Sequence, residues 1–354
     1  MTFGLTLFRR LAFLAACLAL VVIVLGAWVR LSAAGLGCPD WPGCYGHLTA
    51  EGAARNLDSI SSAFPERPFE YSKAHKEMVH RYFASTLGFL ILILAAIAIA
   101  NRKDPKQPVA LPIALVGLVI FQGLLGMWTV TLLLKPLIVV LHLLGGLATL
   151  ALLTWLATSL RTDAAAGGFV HPRGGQALRR LAVVGLIVLI IQIALGGWTS
   201  SNYAALACPD FPTCQNSYWP KMDFEDAFVL WRGLGIDYEG GVLDHPARVA
   251  IHFIHRLGAI LAALILAVLS IAAIKQSSNA ALRAAGMLLA ALLIAQLILG
   301  PIMVMRALPL VLATAHNAVA ALLVVTTVRL VKLTSTSGSA LRSPGPSRAF
   351  LAAF

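Results

Sequence analysis

The sequence contains little charge for its length. Only 12% of its 354 residues are charged, whereas 59% are hydrophobic, and the mean hydropathy is +0.85. Soluble domains carry about 25% charged residues, so the composition excludes a soluble globule and indicates a polytopic membrane protein. Lys and Arg outnumber Asp and Glu by 27 to 15. Because the positive residues lie in short loops beside apolar segments, membrane topology explains them better than nucleic-acid binding does.

The sequence also lacks cofactor motifs and has few cysteines. No flavin, nicotinamide or iron–sulfur motif occurs, so reducing equivalents must come from an electron donor that the sequence does not identify. Two loops each contain a Cys-x5-Cys pair, Cys38 with Cys44 and Cys208 with Cys214, and Cys17 lies inside the first apolar segment. The Pro-rich interval favours a structural disulfide in each loop, with a redox-active pair as the alternative.

Eight apolar segments are long enough to cross a membrane, which takes about 20 helical residues. They cover residues 11–30, 78–100, 111–133, 136–159, 179–200, 249–274, 282–304 and 308–329. Lys and Arg concentrate in the short loops of one side, which predicts cytoplasmic termini. Two long loops, about 31–77 and 201–248, then lie outside the cytoplasm, where an oxidising compartment permits disulfides. Since no transit peptide is recognised, we expect a bacterial inner (cytoplasmic) membrane.

Short motifs recur at a nearly constant offset, which indicates an internal repeat. The recurring pairs are Cys38 and Cys208 (offset 170), His80 and His255 (175), Gln122 and Gln296 (174), and His142 and His316 (174). Each copy contains four helices, so both copies enter the membrane with the same polarity. The predicted fold is therefore an all-α membrane protein of two homologous four-helix bundles, related by a pseudo-two-fold axis along the membrane normal.

The repeat divides the chain into four parts. Residues 1–160 form the N-terminal bundle and residues 179–332 the C-terminal bundle. Residues 161–178, rich in Gly and Ala, form a cytoplasmic linker, and residues 333–354 form a disordered cytoplasmic tail. The odd-numbered helices end in Leu-Gly motifs that allow close helix contact, and three of them add a tryptophan that suits the outer membrane interface.

Each even-numbered helix carries a histidine at a matched position near its outer end, so each half presents two at similar depth. These four residues are His80, His142, His255 and His316. A bundle with inward side chains can hold a cofactor, and haem suits two imidazoles because its macrocycle is apolar and its iron takes axial histidines. Zinc would require more ligands per site. Histidines that only hydrogen-bond between helices are the alternative, which the matched positions disfavour. Arg81 and Arg256 are candidate partners of haem propionates.

The combination of features resembles the haem A synthase family over residues 11–330. The resemblance rests on the eight helices in two halves, the outer cysteine pairs and the motifs Glu77-x2-His80-Arg81 and His255-Arg256. It implies an oxidoreductase that oxidises a ring methyl of haem O to the formyl group of haem A, which cytochrome c oxidase requires.

The resemblance also implies roles for individual residues. His80 and His142 of the N-terminal half would flank haem O or haem A, as substrate and product. The C-terminal half would hold haem b through its two histidines, His255 and His316. Glu77 matches the family's catalytic acidic residue. The pairs Cys38–Cys44 and Cys208–Cys214 match disulfides of the family.

One difference between the halves independently supports this division. The position equivalent to Glu77 in the second half, at the offset of 175, is His252. A carboxylate three residues before His80 shares its helix face and can exchange protons at a porphyrin substituent. An interfacial ion pair of Glu77 with Lys73 or Arg81 is the alternative interpretation.

Other functions remain open at this point. The alternatives are a bis-histidine diheme electron carrier without porphyrin chemistry, a haem transporter or chaperone, and a thiol oxidase that uses the cysteine loops. We expect haem O to be delivered by a haem O synthase, and we expect contact with membrane lipids but not with nucleic acid. The oligomeric state is open, with a homo-oligomer as one option.

Overall fold

The structure is a computed structural model that describes residues 3–159, 172–275 and 279–336. Within those ranges every regular element is a helix, apart from two isolated bridges between single residues. The helices are α1 (Phe3–Leu31), α2 (Ala50–Ala54), α3 (Leu57–Ala63), α4 (Tyr71–Ala100), α5 (Ala110–Thr131), α6 (Pro136–Ser159), α7 (Pro172–Ser201), α8 (Phe224–Ala227), α9 (His245–Lys275), α10 (Ala280–Met305) and α11 (Leu310–Thr336).

Eight of these helices are long and apolar enough to cross a membrane: α1, α4, α5, α6, α7, α9, α10 and α11. The prediction of an all-α, multi-pass membrane protein is therefore confirmed. Several helices extend beyond their apolar segments, because a polar turn outside the membrane can continue the same helix. The clearest case is α4, which begins at Tyr71, seven residues before the predicted start.

The predicted linker and tail lie mostly outside the described residues. Of the linker 161–178, residues 172–178 form the first turns of α7, which begins with a proline, a residue favoured at the first helical position. Of the tail 333–354, residues 333–336 complete α11. Both corrections have the same cause: hydropathy locates the apolar part of a helix and misses its polar ends.

The membrane helices form two rings of four. In the N-terminal half α1 contacts α4 and α6, and α5 also contacts both. In the C-terminal half α7, α9, α10 and α11 make the corresponding contacts. Between the halves α6 contacts α11, α1 contacts α11, and α6 contacts α7. Exchanging the two halves maps this set of contacts onto itself, which is consistent with the predicted pseudo-two-fold axis.

The packed core fills the end of both bundles that is remote from the disulfide loops. Its fully buried side chains include Phe8, Leu94, Leu153, Leu269 and Leu289. All four histidines lie nearer the opposite ends of their helices. The core therefore closes one end of the two bundles, and the region around the histidines, nearer the disulfide loops, is less tightly packed.

A strap from the second long loop, residues 228–243, crosses to the N-terminal half. Lys135 is buried against it, donates to the carbonyl of Gly233 and lies 3.4 Å from the ring centroid of Trp231. The N–H of Tyr238 donates to the carbonyl of Leu133 at 3.1 Å. On the surface, one guanidinium binds two carboxylates of the strap, in the ion pairs Arg67–Asp237 (2.6 Å) and Arg67–Glu239 (2.9 Å). The strap thus fixes the outer ends of the two halves to each other.

Candidate haem site

Each of the four membrane histidines lies against a glycine on the preceding membrane helix. The pairs are Gly26 with His80, Gly126 with His142, Gly196 with His255, and Gly300 with His316. A Cβ atom added at Gly26 would lie 2.9 Å from Cε1 of His80, and the other three pairs give 3.0–3.5 Å to the same ring atom. Glycine at these positions therefore leaves the space that each imidazole occupies, which explains the repeated Leu-Gly motif.

The histidines line a cavity of about 1550 Å³ that extends through both halves. A site for one drug-sized ligand has about 300–1,000 Å³, so this volume suits more than one large ligand. Most of the lining side chains are aliphatic. His80 and His142 line it in the N-terminal half, and His255 and His316 line it in the C-terminal half. The structure thus places all four predicted histidines at one cavity.

Three of the imidazoles leave a buried polar atom unsatisfied by the described residues. Nδ1 of His80, His142 and His316 is enclosed without a hydrogen-bond partner in the ranges that the structure covers. A buried polar atom without a partner costs about 1–3 kcal/mol, and Nδ1 of His252, which is outside the predicted pairs, is enclosed in the same way. Paired imidazoles, glycine contacts and an apolar cavity together fit an iron porphyrin.

A glutamine four residues before the glycine contacts the histidine in three of the four repeats. Gln192 Nε2 is 3.0 Å from both Nδ1 and the carbonyl oxygen of His255. Gln296 Nε2 is 3.1 Å from Nε2 of His316. These contacts orient the two rings of the C-terminal half.

In the N-terminal half the glutamine contacts are weaker or missing. Gln122 Nε2 donates to the carbonyl oxygen of His142 at 3.3 Å. Val22 occupies the equivalent position on α1, and its side chain has no amide that could contact His80. From the sequence, Gln122 and Gln296 were recognised only as markers of the repeat, and Gln192 was missed, although its spacing to Gly196 was a visible signal.

Glu77 is buried beneath the first disulfide loop. Its side chain is 5% exposed, and Oε2 accepts the N–H of Cys38 at 2.9 Å. Oε1 pairs with the guanidinium of Arg81 at 2.6 Å. Arg81 also donates to the carbonyls of Asp40 (3.0 Å) and Gly43, while both Glu77 and Arg81 line the cavity. The predicted pairing of Glu77 with Arg81 is therefore present, in a position that also faces the cavity.

Arg256 makes the equivalent clamp in the second half. Its Nη2 donates to the carbonyls of Cys208 (2.7 Å) and Asp210 (2.9 Å), and its Nη1 donates to that of Thr213 (2.8 Å). Its Nε lies 3.2 Å from Nε2 of the buried His252. Both arginines line the cavity, but each already donates hydrogen bonds to carbonyl groups of its loop. The binding of haem propionates by these arginines therefore stays a prediction.

Both cysteine pairs are joined as disulfides in the structure, Cys38 to Cys44 and Cys208 to Cys214. An aspartate inside the second loop, Asp210, accepts the backbone N–H groups of Gln215 (2.6 Å) and Asn216 (2.9 Å). The hydroxyl of Thr213 also donates to this carboxylate, and together these bonds lower the pKa of Asp210 to about 2. The loops are thus compact structures that the two arginine clamps hold against the bundles.

These features define a multi-pass membrane protein with paired histidines facing a large apolar cavity in each of two similar bundles. Residues 9–328 match a family model described as a cytochrome oxidase assembly protein. The chain belongs to this family, COX15-CtaA.

Several proteins named heme A synthase are similar to the chain over most of its length. It is 46% identical to the heme A synthase of Shewanella oneidensis over 313 residues, which cover 88% of this chain and 92% of that protein. It is 27% identical to the heme A synthase of Caulobacter vibrioides over 334 residues, covering 88% and 91%. The match to the heme A synthase of Shouchella clausii is 28% over 271 residues, covering 75% and 76%.

Proposed function

We propose that this chain is a haem A synthase, which oxidises a ring methyl of haem O to the formyl group of haem A for cytochrome oxidase. Family membership and the names of its relatives support this activity. The observation that carries the assignment of sites is the difference between two otherwise matched halves. Both have a histidine pair, a glycine contact for each ring and an arginine clamp, but only the N-terminal half has a carboxylate at the clamp.

We assign the N-terminal bundle, residues 1–160, to the substrate. His80 and His142 would hold the iron of haem O and later of haem A. Glu77 lines the same cavity and has an ionised partner, Arg81, 2.6 Å away. A carboxylate at this place can accept a proton from the reacting substituent, and the surrounding aliphatic side chains exclude water from it.

We assign the C-terminal bundle, residues 179–332, to haem b, with His255 and His316 as its axial ligands. Bound haem b would supply one-electron transfer. Gln192 lies beside Nδ1 of His255, the ring nitrogen that an iron bound at Nε2 would leave free, and a contact there orients a metal ligand. Oxidation of the methyl to the formyl group requires an oxidant that the chain does not hold. With dioxygen as the oxidant, the electrons that reduce its second oxygen atom to water come from a donor outside this chain. We propose that haem O arrives from a haem O synthase.

We further propose that the protein lies in a bacterial inner membrane with both termini in the cytoplasm and the disulfide loops outside. The lysine and arginine distribution supports this orientation. The two disulfides support it independently, because disulfides persist in the oxidising compartment.

The function is tested by expressing the chain in a cell that makes haem O but no haem A. Mass analysis of the extracted haems should show a formyl haem. This product should disappear with His80→Ala and with His142→Ala while the protein still reaches the membrane. A protein that carries two haems and yields no formyl product would instead be a diheme electron carrier, and haem bound at unchanged mass would indicate a transporter.

A further inference from the structure

The seam between the second and third membrane helices differs between the two halves. In the N-terminal half this seam lies between α4 and α5, and in the C-terminal half between α9 and α10. At the offsets of the repeat, the paired positions are Ser85 and Ile260, Gly88 and Ala263, and Gly123 and Leu297. All six residues line the cavity. At each pair the smaller side chain is in the N-terminal half.

The small residues leave an opening between α4 and α5. A Cβ atom added at Gly123 would meet nothing within 4 Å, and one at Gly88 would meet only Val119, at 3.9 Å. Ser85 and Gly123 are exposed and also line the cavity. We call the opening formed by Ser85, Gly88 and Gly123 the slot.

The C-terminal half carries bulky side chains at the equivalent place. Ile260 and Leu297 line the cavity, as their counterparts in the N-terminal half do, and are 58% and 45% exposed. The same seam is therefore lined by branched aliphatic side chains in one half and by serine and glycine in the other.

The slot begins beside the histidine pair of the N-terminal half. Gly123 directly follows Gln122 on α5. Gly126, one turn further along the same helix, lies against the imidazole ring of His142. Gln122 is nine-tenths buried and lines the cavity, and its amide oxygen has no hydrogen-bond partner in the described ranges. The inner end of the slot thus offers a free acceptor, and two of the three residues of the slot, Gly88 and Gly123, have no side chain.

We propose that the slot carries the isoprenoid chain of haem O from the cavity to the lipid. This inference rests on the proposed function. Haem O differs from haem b by this long apolar chain. The chain bears a hydroxyl group next to the porphyrin ring, and the amide oxygen of Gln122 can accept a hydrogen bond from that hydroxyl group. A tail needs a lateral exit from a closed bundle, and only a substrate with a tail needs one. Haem b has no such chain, in keeping with the bulky Ile260 and Leu297 in its half.

The test replaces a small residue between α4 and α5 with the larger residue found at the equivalent position between α9 and α10. Gly123→Leu copies Leu297 and closes the slot. Gly117→Leu is the matched control, because Gly117 lies on the same helix, also has no neighbour within 4 Å of an added Cβ, and does not line the cavity. Full-length protein already holding one equivalent of haem b is titrated with haem O or with further haem b, and binding is followed by absorbance.

For Gly123→Leu we expect at least a tenfold weaker affinity for haem O and an affinity for the second haem b within twofold of wild type. Gly117→Leu should match wild type for both. Equal weakening for both haems, or no weakening for either, would overturn the slot. If Gly123→Leu fails to retain its first haem b, Ser85→Ile on the facing helix decides by the same criteria.

The outcome is separable from the proposed function. A wild-type protein that discriminates by the tail but forms no formyl haem would refute the enzymatic activity and leave the slot standing. A wild-type protein that makes haem A, with Gly123→Leu as active and as tightly binding as Gly117→Leu, would refute only the slot.

Discussion

Glu77 on α4 and His252 on α9 occupy equivalent positions, each four residues before an arginine that clamps a disulfide loop. Glu77 Oε1 lies 2.6 Å from Nη2 of Arg81, and His252 Nε2 lies 3.2 Å from Nε of Arg256. The clamp therefore forms with a carboxylate in one half and with an imidazole in the other. A carboxylate is not needed to hold the loop, which leaves Glu77 available for chemistry.

We predict that Glu77→Gln abolishes haem A formation without loss of folded protein. The amide oxygen can still accept the N–H of Cys38, but the side chain no longer exchanges protons. General acid–base groups contribute about 10²–10⁴-fold to a rate, so conversion should fall by at least about 100-fold. The measurement is the ratio of haem A to haem O in purified membranes, at equal protein and equal haem b. The control is His252→Gln, which should keep the ratio of wild type; full haem A production by Glu77→Gln would refute the catalytic role.

Gln192→Met should weaken the hold on haem b. Methionine has a similar length but cannot make the bonds of Gln192 to Nδ1 and the carbonyl of His255. Loss of a group that orients a metal ligand costs about 10–100-fold in affinity, so we expect faster loss of haem b to apomyoglobin and an altered low-spin spectrum. Val22→Met places the same side chain at the equivalent position of α1 and should leave haem b unchanged. Indistinguishable spectra and loss rates for both variants would show that Gln192 does not act on the ligand.

Lys135→Met should release the strap. Burial lowers the pKa of Lys135, yet its ammonium has a carbonyl partner in Gly233 and lies over the ring of Trp231. A desolvated cation–π contact is worth about 2 kcal/mol, so the outer ends of the halves should separate more readily. Trypsin should then cut faster after Arg232, within the strap.

Arg67→Met is the comparison for the strap. It removes two exposed ion pairs worth about 0–1 kcal/mol each, and should accelerate cleavage much less than Lys135→Met. Faster cleavage of Arg67→Met than of Lys135→Met would show that Arg67, and not Lys135, mainly holds the strap against the N-terminal half.

Asp210 should make the second disulfide loop sensitive to acid. Its pKa in the folded protein is about 2, below the ordinary 3.8, because the folded state offers donors from Thr213 and the backbone. The stabilisation is present above the ordinary value and is lost as the pH falls through about 2. Thermal unfolding in detergent should show a lower midpoint at pH 3 than at pH 5 for wild type, and a smaller drop for Asp210→Asn. The same drop in both proteins would exclude Asp210 as the cause.

The helices and the histidine pairs could be predicted from the sequence because apolar length and a repeat offset are one-dimensional signals. The position of His80 along its helix was less predictable. The apolar segment begins at residue 78, two residues before His80, whereas α4 begins at Tyr71, so His80 lies about 13 Å from the start of the helix. The polar first turns of α4 carry no hydropathy signal.

Contacts between distant segments could not be predicted from the sequence. Arg81 and Arg256 were predicted as partners of propionates, and the sequence did not reveal that carbonyl groups of loops some 40 residues away also accept hydrogen bonds from them. Trp198 was predicted to suit the outer membrane interface, and the sequence did not reveal that it is buried in the protein, with its indole N–H donating to the carbonyl of Ala227 at 2.9 Å. Every residue has a backbone carbonyl group, so no sequence pattern marks which carbonyl groups will accept a hydrogen bond from a given side chain.

The contacts between the two four-helix bundles are arranged like those of an isologous dimer. In such a dimer the fourth helices meet each other and each first helix meets the partner's fourth, as α6, α11, α1 and α7 do here. Identical subunits would have to place the same side chain in both sites. Joining the two copies in one polypeptide removes that constraint, so one site can specialise in turnover and the other in retention, each through a handful of substitutions.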